Sequence, residues 1–313
     1  MKKIAIIGEC MIELNGEPFG NMWQTYGGDT LNTATYLSRI SSPHDIEVHY
    51  ISAMGNDKLS QQMIQHWQQD HIHTENVLID PSRQAGLYLI QLDKFGERTF
   101  LYWRSESAAR YLLQHPDYPQ VQNSLAEMDM IYLSGISLAI LPDADRNALI
   151  SQLQQLAKQG VKIAFDSNYR PKLWESVQRT QEIYTALYPC IHLALVTFDD
   201  EQALWGDEQP AQSIQRLKQL GVKNIVLKQG KEGALFCDEQ GNEQNVSTTP
   251  VTNVVDTTSA GDAFNAGFLN GYLRNKPAQQ CCQQGNQVAG IVIQHKGAII
   301  DKTATEHLIH QFN

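Results

Sequence analysis

The 313-residue sequence contains no long apolar run, no excess of basic charge and only five cysteines. No segment is apolar enough over about 20 residues to span a membrane. Glu9 interrupts the N-terminal MKKIAIIGE before it could form the core of a signal peptide. The net charge of −10 argues against binding to nucleic acid, although a local pocket could still attract a small anion. Without a Cys-x-x-Cys pair, neither a disulfide framework nor a zinc site is predicted, and we expect a cytoplasmic protein.

Several catalytic motifs are also missing. There is no Gly-x-x-x-x-Gly-Lys-Ser/Thr loop, which excludes the phosphate-binding loop of the P-loop NTPases. The first apolar run ends in Gly8-Glu9 without Gly-x-Gly-x-x-Gly, which makes a dinucleotide-dependent dehydrogenase improbable. No Gly-x-Ser-x-Gly element of a serine hydrolase occurs, and His71 and His73 are too close in sequence to indicate a metal site.

Apolar runs of strand length do alternate with helical patterns along the whole chain. Residues 4–8, 48–55 and 223–230 are typical of buried strands, and helical spacing is found over 30–40, 58–70 and 146–159. Continuous apolar strands that alternate with helices indicate a mostly parallel sheet covered on both faces. We therefore predict one α/β domain with three layers.

Two stretches, residues 10–27 and 84–104, break this alternation. Each has the short alternating runs of β-hairpins, and Phe95-Gly96 lies where the second would turn. We predict that the two stretches form one small β lid beside the main sheet.

The segment DTTSAGDAF, residues 256–264, places small residues between two aspartates and ahead of a helical pattern. A helix beginning near Ala260–Gly261 would direct unpaired N–H groups and its positive dipole end at a bound anion. Asp262 would then lie beside that anion, where a carboxylate could accept a proton from an attacking hydroxyl. From this segment alone, an acid that merely stabilises the helix N-terminus is an equally good interpretation.

Two glycine-containing turns are further candidates. In GGDTLNTA, residues 27–34, the backbone at Gly28 and the side chains of Asp29 and Asn32 could hydrogen-bond a polyol, or simply begin a helix. In VLKQGKEGALF, residues 226–236, a nucleotide could lie across the turn that contains Lys228, Gly230 and Gly233. In isolation, an ordinary turn between strands without a function explains the second pattern better.

A third group suggests recognition of a carboxylate. Arg104 ends a lid strand, and Asn168 and Arg170 follow a buried strand at the edge where open α/β sheets bind ligands. Tyr88 and Tyr102 belong to the same lid stretch. Most single arginines are solvated, but two arginines near one cleft favour a substrate that carries a carboxylate.

Taken together, GGDTLNTA, MGND (54–57) and DTTSAGDAF resemble the motifs of the PfkB, or ribokinase-like, carbohydrate kinases, in the same order and over nearly the whole chain. Within that family GECMIEL, YWR, FDSNYRP and QHKGAII (294–300) are most similar to the 2-keto-3-deoxygluconate kinases. The resemblance implies a Rossmann-like domain with a β lid, often shared in a dimer. It implies transfer of the ATP γ-phosphoryl group, with Mg²⁺, to the 6-hydroxyl of a sugar acid.

The resemblance also implies roles for individual residues. Asp262 matches the catalytic base, and the backbone of Ser259, Ala260 and Gly261 matches the anion hole. The sugar-acid contacts match Gly28, Asp29, Asn32, Tyr88, Tyr102, Arg104, Asn168 and Arg170. The nucleotide site matches Lys228, Gly230, Gly233, Thr258 and Gly261, and Thr258 and the segment 297–298 lie where relatives bind nucleotide or a monovalent cation such as K⁺.

Two positions depart from the family pattern. Ser259 replaces a usual glycine, which leaves the loop geometry open. An Asn-x-x-Glu motif that helps hold Mg²⁺ falls on Thr197 to Asp200, where Asp200 could reach the ion through water. Other functions stay open: a kinase of fructose, ribose or 2-keto-3-deoxygalactonate, or a sugar- or nucleotide-binding regulator without catalysis.

Overall fold

The computed structural model describes residues 1–92 and 98–312. Its strands are β1 Lys2–Ile7, β2 Met11–Gly16, β3 Met22–Gly27, β4 Ile46–Gly55, β5 Ile72–His73, β6 Val77–Asp80, β7 Gly86–Leu92, β8 Arg98–Trp103, β9 Met130–Ser134, β10 Lys162–Asp166, β11 Leu193–Thr197, β12 Asn224–Lys228, β13 Ala234–Cys237 and β14 Glu243–Val246. Its helices are α1 Asp29–Ile40, α2 Lys58–Gln69, α3 Tyr118–Leu125, α4 Gly135–Ala139, α5 Asp143–Lys158, α6 Val177–Leu187, α7 Phe198–Trp205, α8 Pro210–Gln219, α9 Ala260–Leu273, α10 Ala278–Val292 and α11 Leu308–Phe312.

The main sheet has ten strands in the order β14-β13-β12-β11-β10-β9-β1-β4-β5, with β6 paired to β4. All neighbours are parallel except β12–β13 and β13–β14. Along β1, Ala5 and Ile7 pack into one core cluster while Ile4 and Ile6 pack into another. Because neighbouring side chains of a strand point to opposite faces, both faces of the sheet are covered. The predicted three-layer α/β class is confirmed.

The strand order creates a crevice at one edge of the sheet. Successive strands run from β1 to β4 on one side and from β9 to β12 on the other, so the order reverses beside β1. In open parallel sheets, ligands bind at the carboxyl ends of the strands at this reversal. The last residues of three of these strands, Asp166, Thr197 and Lys228, therefore belong to the same edge.

The two irregular stretches pair with each other in a second sheet of four strands, in the order β3-β2-β7-β8. The strands β2 and β7 are parallel and join the two excursions of the chain, as predicted. Their register puts Glu13, Tyr88 and Tyr102 in one cross-strand row on one face. The predicted turn at Phe95-Gly96 lies outside the described residues.

Most element boundaries differ from the sequence predictions by a few residues. The helix predicted over 146–159 begins earlier, at Asp143, because two acids can occupy its first turn beside the positive end of the dipole. The helix predicted near Ala260 begins at Ala260. Within residues 1–92 and 98–312, no helix combines the length and apolar character needed to cross a bilayer.

Candidate active site

A cavity of about 1110 Å³ lies at the carboxyl edge of the main sheet and receives side chains from the small sheet. Of the residues singled out in the sequence, those that line it are Gly28, Asp29, Asn32, Tyr88, Tyr102, Arg104, Asn168, Arg170, Thr197, Asp200, Lys228, Gly230, Gly233, Thr258, Ala260, Gly261, Asp262 and Ala298. Ser259 is buried beneath the cavity wall. The fold thus brings together segments from the whole chain.

Asp262 lies in the first turn of α9, as predicted, and is buried. Its Oδ2 accepts hydrogen bonds from Asn32 Nδ2 at 2.8 Å and from Ser259 Oγ at 3.1 Å. Burial, followed by the negative charge of Asp29, raises the pKa of Asp262 to about 7. A carboxyl with a pKa near neutrality can both accept and return a proton at physiological pH.

Asp29 opens α1 and faces the same cavity. Its Oδ2 accepts from Asn168 Nδ2 at 2.6 Å, which links α1 to the loop after β10. Asn168 has a φ of 30°, and its backbone N–H donates to Asp166 Oδ1 at 3.1 Å. Burial raises the pKa of Asp29, and nearby Asp166 adds to the rise. Two carboxyls with raised pKa values are therefore available for hydroxyl groups of a ligand.

Lys228 lines the cavity and belongs to a buried hydrogen-bond network. Its Nζ donates to Asp166 Oδ2 at 2.9 Å and to Asn265 Oδ1 at 3.1 Å. Asn265 Nδ2 donates in turn to Asp166 Oδ2 at 2.7 Å. The sequence singled out Lys228 for a nucleotide, whereas in this structure its ammonium group is held by a carboxylate of the protein. Asp166 and Asn265 were missed, although an acid that ends an apolar strand is a recognisable signal.

The cavity residues that the resemblance assigns to a sugar acid are also paired. Arg104 forms an ion pair with buried Glu9, and the hydroxyl of Tyr88 donates to Glu13. Glu9 follows β1, and Gly28 lets the backbone of the next element approach it: a Cβ at Gly28 would lie 2.1 Å from the Glu9 carbonyl oxygen. Sequence reasoning missed both glutamates. The segment GECMIEL did offer a signal, because a buried acid among apolar residues needs a partner.

Arg170 also lines the cavity, with about half of its side chain exposed. Its Nη1 donates to the Tyr169 carbonyl at 2.8 Å and to Asp200 Oδ1 at 3.2 Å. Burial raises the pKa of Tyr102, and the positive charges of Arg104 and Arg170 oppose the rise. Arg104 and Arg170 both line the cavity, and the positive charge of each acts on the pKa of Tyr102.

The opposite end of the cavity is formed by backbone. Gly233, with a φ of 99°, turns β12 into β13 in a conformation that L side chains rarely adopt. Ser259 has a φ of −115°, so a serine at this position needs no left-handed backbone, and the departure from glycine causes no strain. The N–H of Ala260 donates to the Thr257 carbonyl at 3.2 Å. This leaves the next N–H groups, of Gly261 and Asp262, at the start of the helix as the donors nearest a bound anion.

The loop before α9 is joined to the segment after α10 by one side chain. Asp256 Oδ1 accepts from the backbone N–H of Thr258 at 3.0 Å and from its hydroxyl at 2.6 Å. Asp256 Oδ2 accepts from the N–H of Gly297 at 2.8 Å. Thr258 and Ala298 line the same cavity, and their role toward a nucleotide or a monovalent cation stays a prediction.

Comparison with known proteins shows the family to which this chain belongs. Residues 1–305 match the family described as pfkB family carbohydrate kinase. A protein of Haemophilus influenzae named 2-dehydro-3-deoxygluconokinase is 62% identical over 314 residues, which cover 100% of both chains. A protein of the same name from Dickeya dadantii is 43% identical, with 96% of this chain and 97% of that one covered.

Solved structures agree on the fold. A putative ribokinase II from E. coli superposes with a TM-score of 0.84 at 20% identity, covering 99% of this chain and 100% of that one. Aminoimidazole riboside kinase from Salmonella enterica, complexed with aminoimidazole riboside and an ATP analogue, gives a TM-score of 0.80 at 21% identity, with 99% of both chains covered.

Proposed function

This chain belongs to the pfkB family of carbohydrate kinases, and we propose that it transfers the γ-phosphoryl group of ATP to the 6-hydroxyl of 2-keto-3-deoxygluconate, also called 2-dehydro-3-deoxygluconate. The observation that carries the proposal is that one cavity is lined by Asp262, an acid at a helix N-terminus with a pKa of about 7, and by two arginines, Arg104 and Arg170. The relatives that are 62% and 43% identical and bear that substrate in their name support it.

In the proposed reaction, the 6-hydroxyl oxygen attacks the γ-phosphorus of ATP in line with the leaving oxygen. A new O–P bond forms while the bond to the bridging oxygen of ADP breaks, and the hydroxyl proton passes to Asp262 Oδ. Asn32 and Ser259 hold that carboxylate through Oδ2, so its rotation is restricted before the substrate arrives. The N–H groups of Gly261 and Asp262 receive the charge that develops on the transferred group.

The substrate carboxylate is assigned to Arg170 and Arg104, beside Tyr88 and Tyr102. Arg104 is paired with buried Glu9 and its side chain is 11% exposed, whereas the side chain of Arg170 is 51% exposed and pairs with Asp200 at 3.2 Å. Arg170 therefore has the larger capacity for a second anion. Gly28, Asp29, Asn32 and Asn168 are assigned to the hydroxyl groups, because these residues combine donors and acceptors on one wall of the cavity.

Lys228, Gly230, Gly233 and Thr258 are assigned to the nucleotide end. Mg²⁺ supplies charge neutralisation between the phosphates when bound. The acids present fit this ion, because carboxylate oxygens are its preferred protein ligands, and Asp200 would hold it through water while Oδ1 stays with Arg170. A K⁺ site beside Thr258 and residues 297–298 is part of the proposal, and comparing turnover in K⁺ and in a tetramethylammonium buffer tests it.

An ATP-consumption assay on a panel of acceptors tests the substrate. We expect turnover with 2-keto-3-deoxygluconate and its galactonate epimer and little with fructose or ribose, because only the acids can engage the arginines. Arg170→Met should raise KM for the sugar acid by about 10- to 100-fold, the loss of one or two charge-assisted hydrogen bonds, with a smaller change in kcat. Arg170 suits the test better than Arg104, whose loss would leave Glu9 buried without its partner.

Arg179→Met is the matched control, because Arg179 is a surface arginine paired with Asp143 and Glu182 away from the cavity. Its KM values should equal those of the wild type, and KM for ATP should be unchanged in both variants. Activity on neutral sugars alone would support a kinase activity but would contradict the proposal that the substrate is a sugar acid. An unchanged KM in Arg170→Met would reject the assigned carboxylate site.

We further propose that the protein forms a dimer through the small sheet, which would then act as a shared lid over the cavity. One face of this sheet is formed by apolar residues in register, which are Ile12, Leu14, Leu87, Leu89, Leu101 and Trp103. Leu101 is 39% and Trp103 is 59% exposed in the single chain. A second copy would remove this surface from water. Sedimentation should give a dimer for the wild type and a monomer for Leu101→Glu; a monomeric wild type would contradict the proposal.

A further inference from the structure

A cluster of histidine and glutamate side chains lies far from the cavity, at the opposite half of β4. His49 on β4 and His73 on the end strand β5 are direct register partners of a parallel pair. Their rings stack with centroids 4.5 Å apart and an interplanar angle of 23°. Glu47 precedes His49 by two residues and therefore projects from the same face of β4. Its Oε2 lies 3.5 Å from His49 Nε2.

We propose that Glu47, His49 and His73 bind a divalent transition-metal cation of the zinc type. The ligand atoms of the three residues all lie within 4.8 Å of one another. In a tetrahedral zinc site, ligand atoms about 2.1 Å from the ion lie roughly 3.4 Å apart, so side-chain rotations of about an ångström close the site. Two imidazoles and a carboxylate form a donor set that suits zinc better than magnesium or calcium.

The surroundings of the cluster favour an ion over a simple hydrogen-bonded pair. Glu75 Oε1 lies 3.4 Å from His73 Nδ1, the arrangement by which a carboxylate orients a metal-binding imidazole and leaves its Nε2 for the ion. Lys3 Nζ, at 3.9 Å from Glu47 Oε2, is the competing cation, and that contact is long. The side chains of His49 and Glu47 are 13% and 18% exposed, so an ion would be partly shielded and still reachable from solvent.

Sequence spacing could not reveal this cluster. The sequence offered only His71-x-His73, and His71 is exposed on the turn before β5. The partner of His73 is instead His49, which the pairing of two strands supplies. Because His49 precedes the end of β4 by six residues, the cluster lies roughly 20 Å from the carboxyl edge. An ion there would join β5, the end strand of the sheet, to β4 without contacting the cavity.

Calorimetric titration of the EDTA-treated full chain with ZnCl₂, in a buffer containing Mg²⁺ to occupy carboxylates of the cavity, tests the proposal. We expect one equivalent of Zn²⁺ to bind with a micromolar Kd. His49→Gln and His73→Gln should each weaken binding by about 100-fold, since each removes one of three ligands. At 100 times Kd, Zn²⁺ should raise the Tm of the wild type by about 5 °C and that of either variant by much less.

His44→Gln is the matched control, because His44 is an exposed histidine in the loop that precedes the same strand. It should bind Zn²⁺ like the wild type. Zinc-free Tm values and kinase turnover of all three variants check that they fold, as none of these residues lines the cavity. Absence of saturable Zn²⁺ binding to the wild type, or binding that both His49→Gln and His73→Gln retain, would overturn the proposal.

Discussion

Replacing Asp262 with asparagine should lower kcat by about 10³-fold while leaving KM for ATP nearly unchanged. The amide cannot accept the proton of the 6-hydroxyl, and general-base catalysis contributes 10²- to 10⁴-fold in other enzymes. Asparagine keeps the shape of the side chain and can still bond to Asn32 and Ser259, so binding geometry is preserved. Steady-state kinetics with 2-keto-3-deoxygluconate measures the effect, and near wild-type turnover would show that Asp262 is not the base.

The dependence on pH gives a second readout of the same residue. Because Asp262 must be ionised to act as a base and its pKa is raised to about 7, kcat/KM of the wild type should rise with pH up to about 7 and then level off. Because Asp29 and Asp262 interact, the pKa obtained from the rising part of this pH profile belongs to the two carboxyls together. Asp262→Asn should lose this rising part; a wild-type profile that is flat between pH 5 and 8 would contradict the assignment.

The thermal stability of Asp262→Asn provides the control for folding. We expect activity to fall in this variant while stability at high pH is kept or increased. A carboxyl whose pKa is raised in the folded state stabilises the fold while it is protonated, and that stabilisation is lost as pH rises through about 7. The neutral amide avoids the loss. At pH 8 the variant should therefore unfold at or above the wild-type Tm, so that low activity cannot be attributed to unfolding.

Replacing Lys228 with methionine should lower the free energy of unfolding by about 3–5 kcal/mol, the usual result of breaking a buried ion pair. Asp166 would keep its hydrogen bond from Asn265 but would lose the ammonium group that lies 2.9 Å from its Oδ2. Adding Asp166→Asn in the same chain removes the uncompensated charge. The double variant should recover most of the loss, and urea unfolding of the single and double variants measures the coupling.

Lys2→Met is the matched control for this experiment. Lys2 Nζ lies 2.7 Å from Asp129 Oδ1, as close as the Lys228 pair, but the two side chains are 45% and 35% exposed. An exposed pair contributes about 0–1 kcal/mol, because water replaces the lost partner. If Lys2→Met and Lys228→Met lowered the free energy of unfolding equally, burial would not make the Lys228–Asp166 pair more important for stability than an exposed pair.

The sequence by itself determined the class of the fold and the position at which one helix, α9, begins. Continuous apolar runs that alternate with helical periods require a parallel sheet with two covered faces, and the small residues before Phe264 require a helix to begin near Ala260. Both conclusions depend only on residues that are close in sequence, because the period of an apolar pattern and the start of a helix are set within a few neighbouring residues. Residues of GGDTLNTA and DTTSAGDAF line one cavity, whereas MGND (54–57) does not contribute to its lining.

Only the tertiary structure decided which charges pair. Lys228 meets Asp166 from 62 residues away, Glu9 meets Arg104 from 95, and Asn32 meets Asp262 from 230. The lysine assigned to a nucleotide thus has a protein partner, and two histidines without metal spacing stack on adjacent strands. These pairings follow from strand order and register. The same apolar pattern is compatible with many strand orders, so local periodicity cannot encode which polar side chains come into contact.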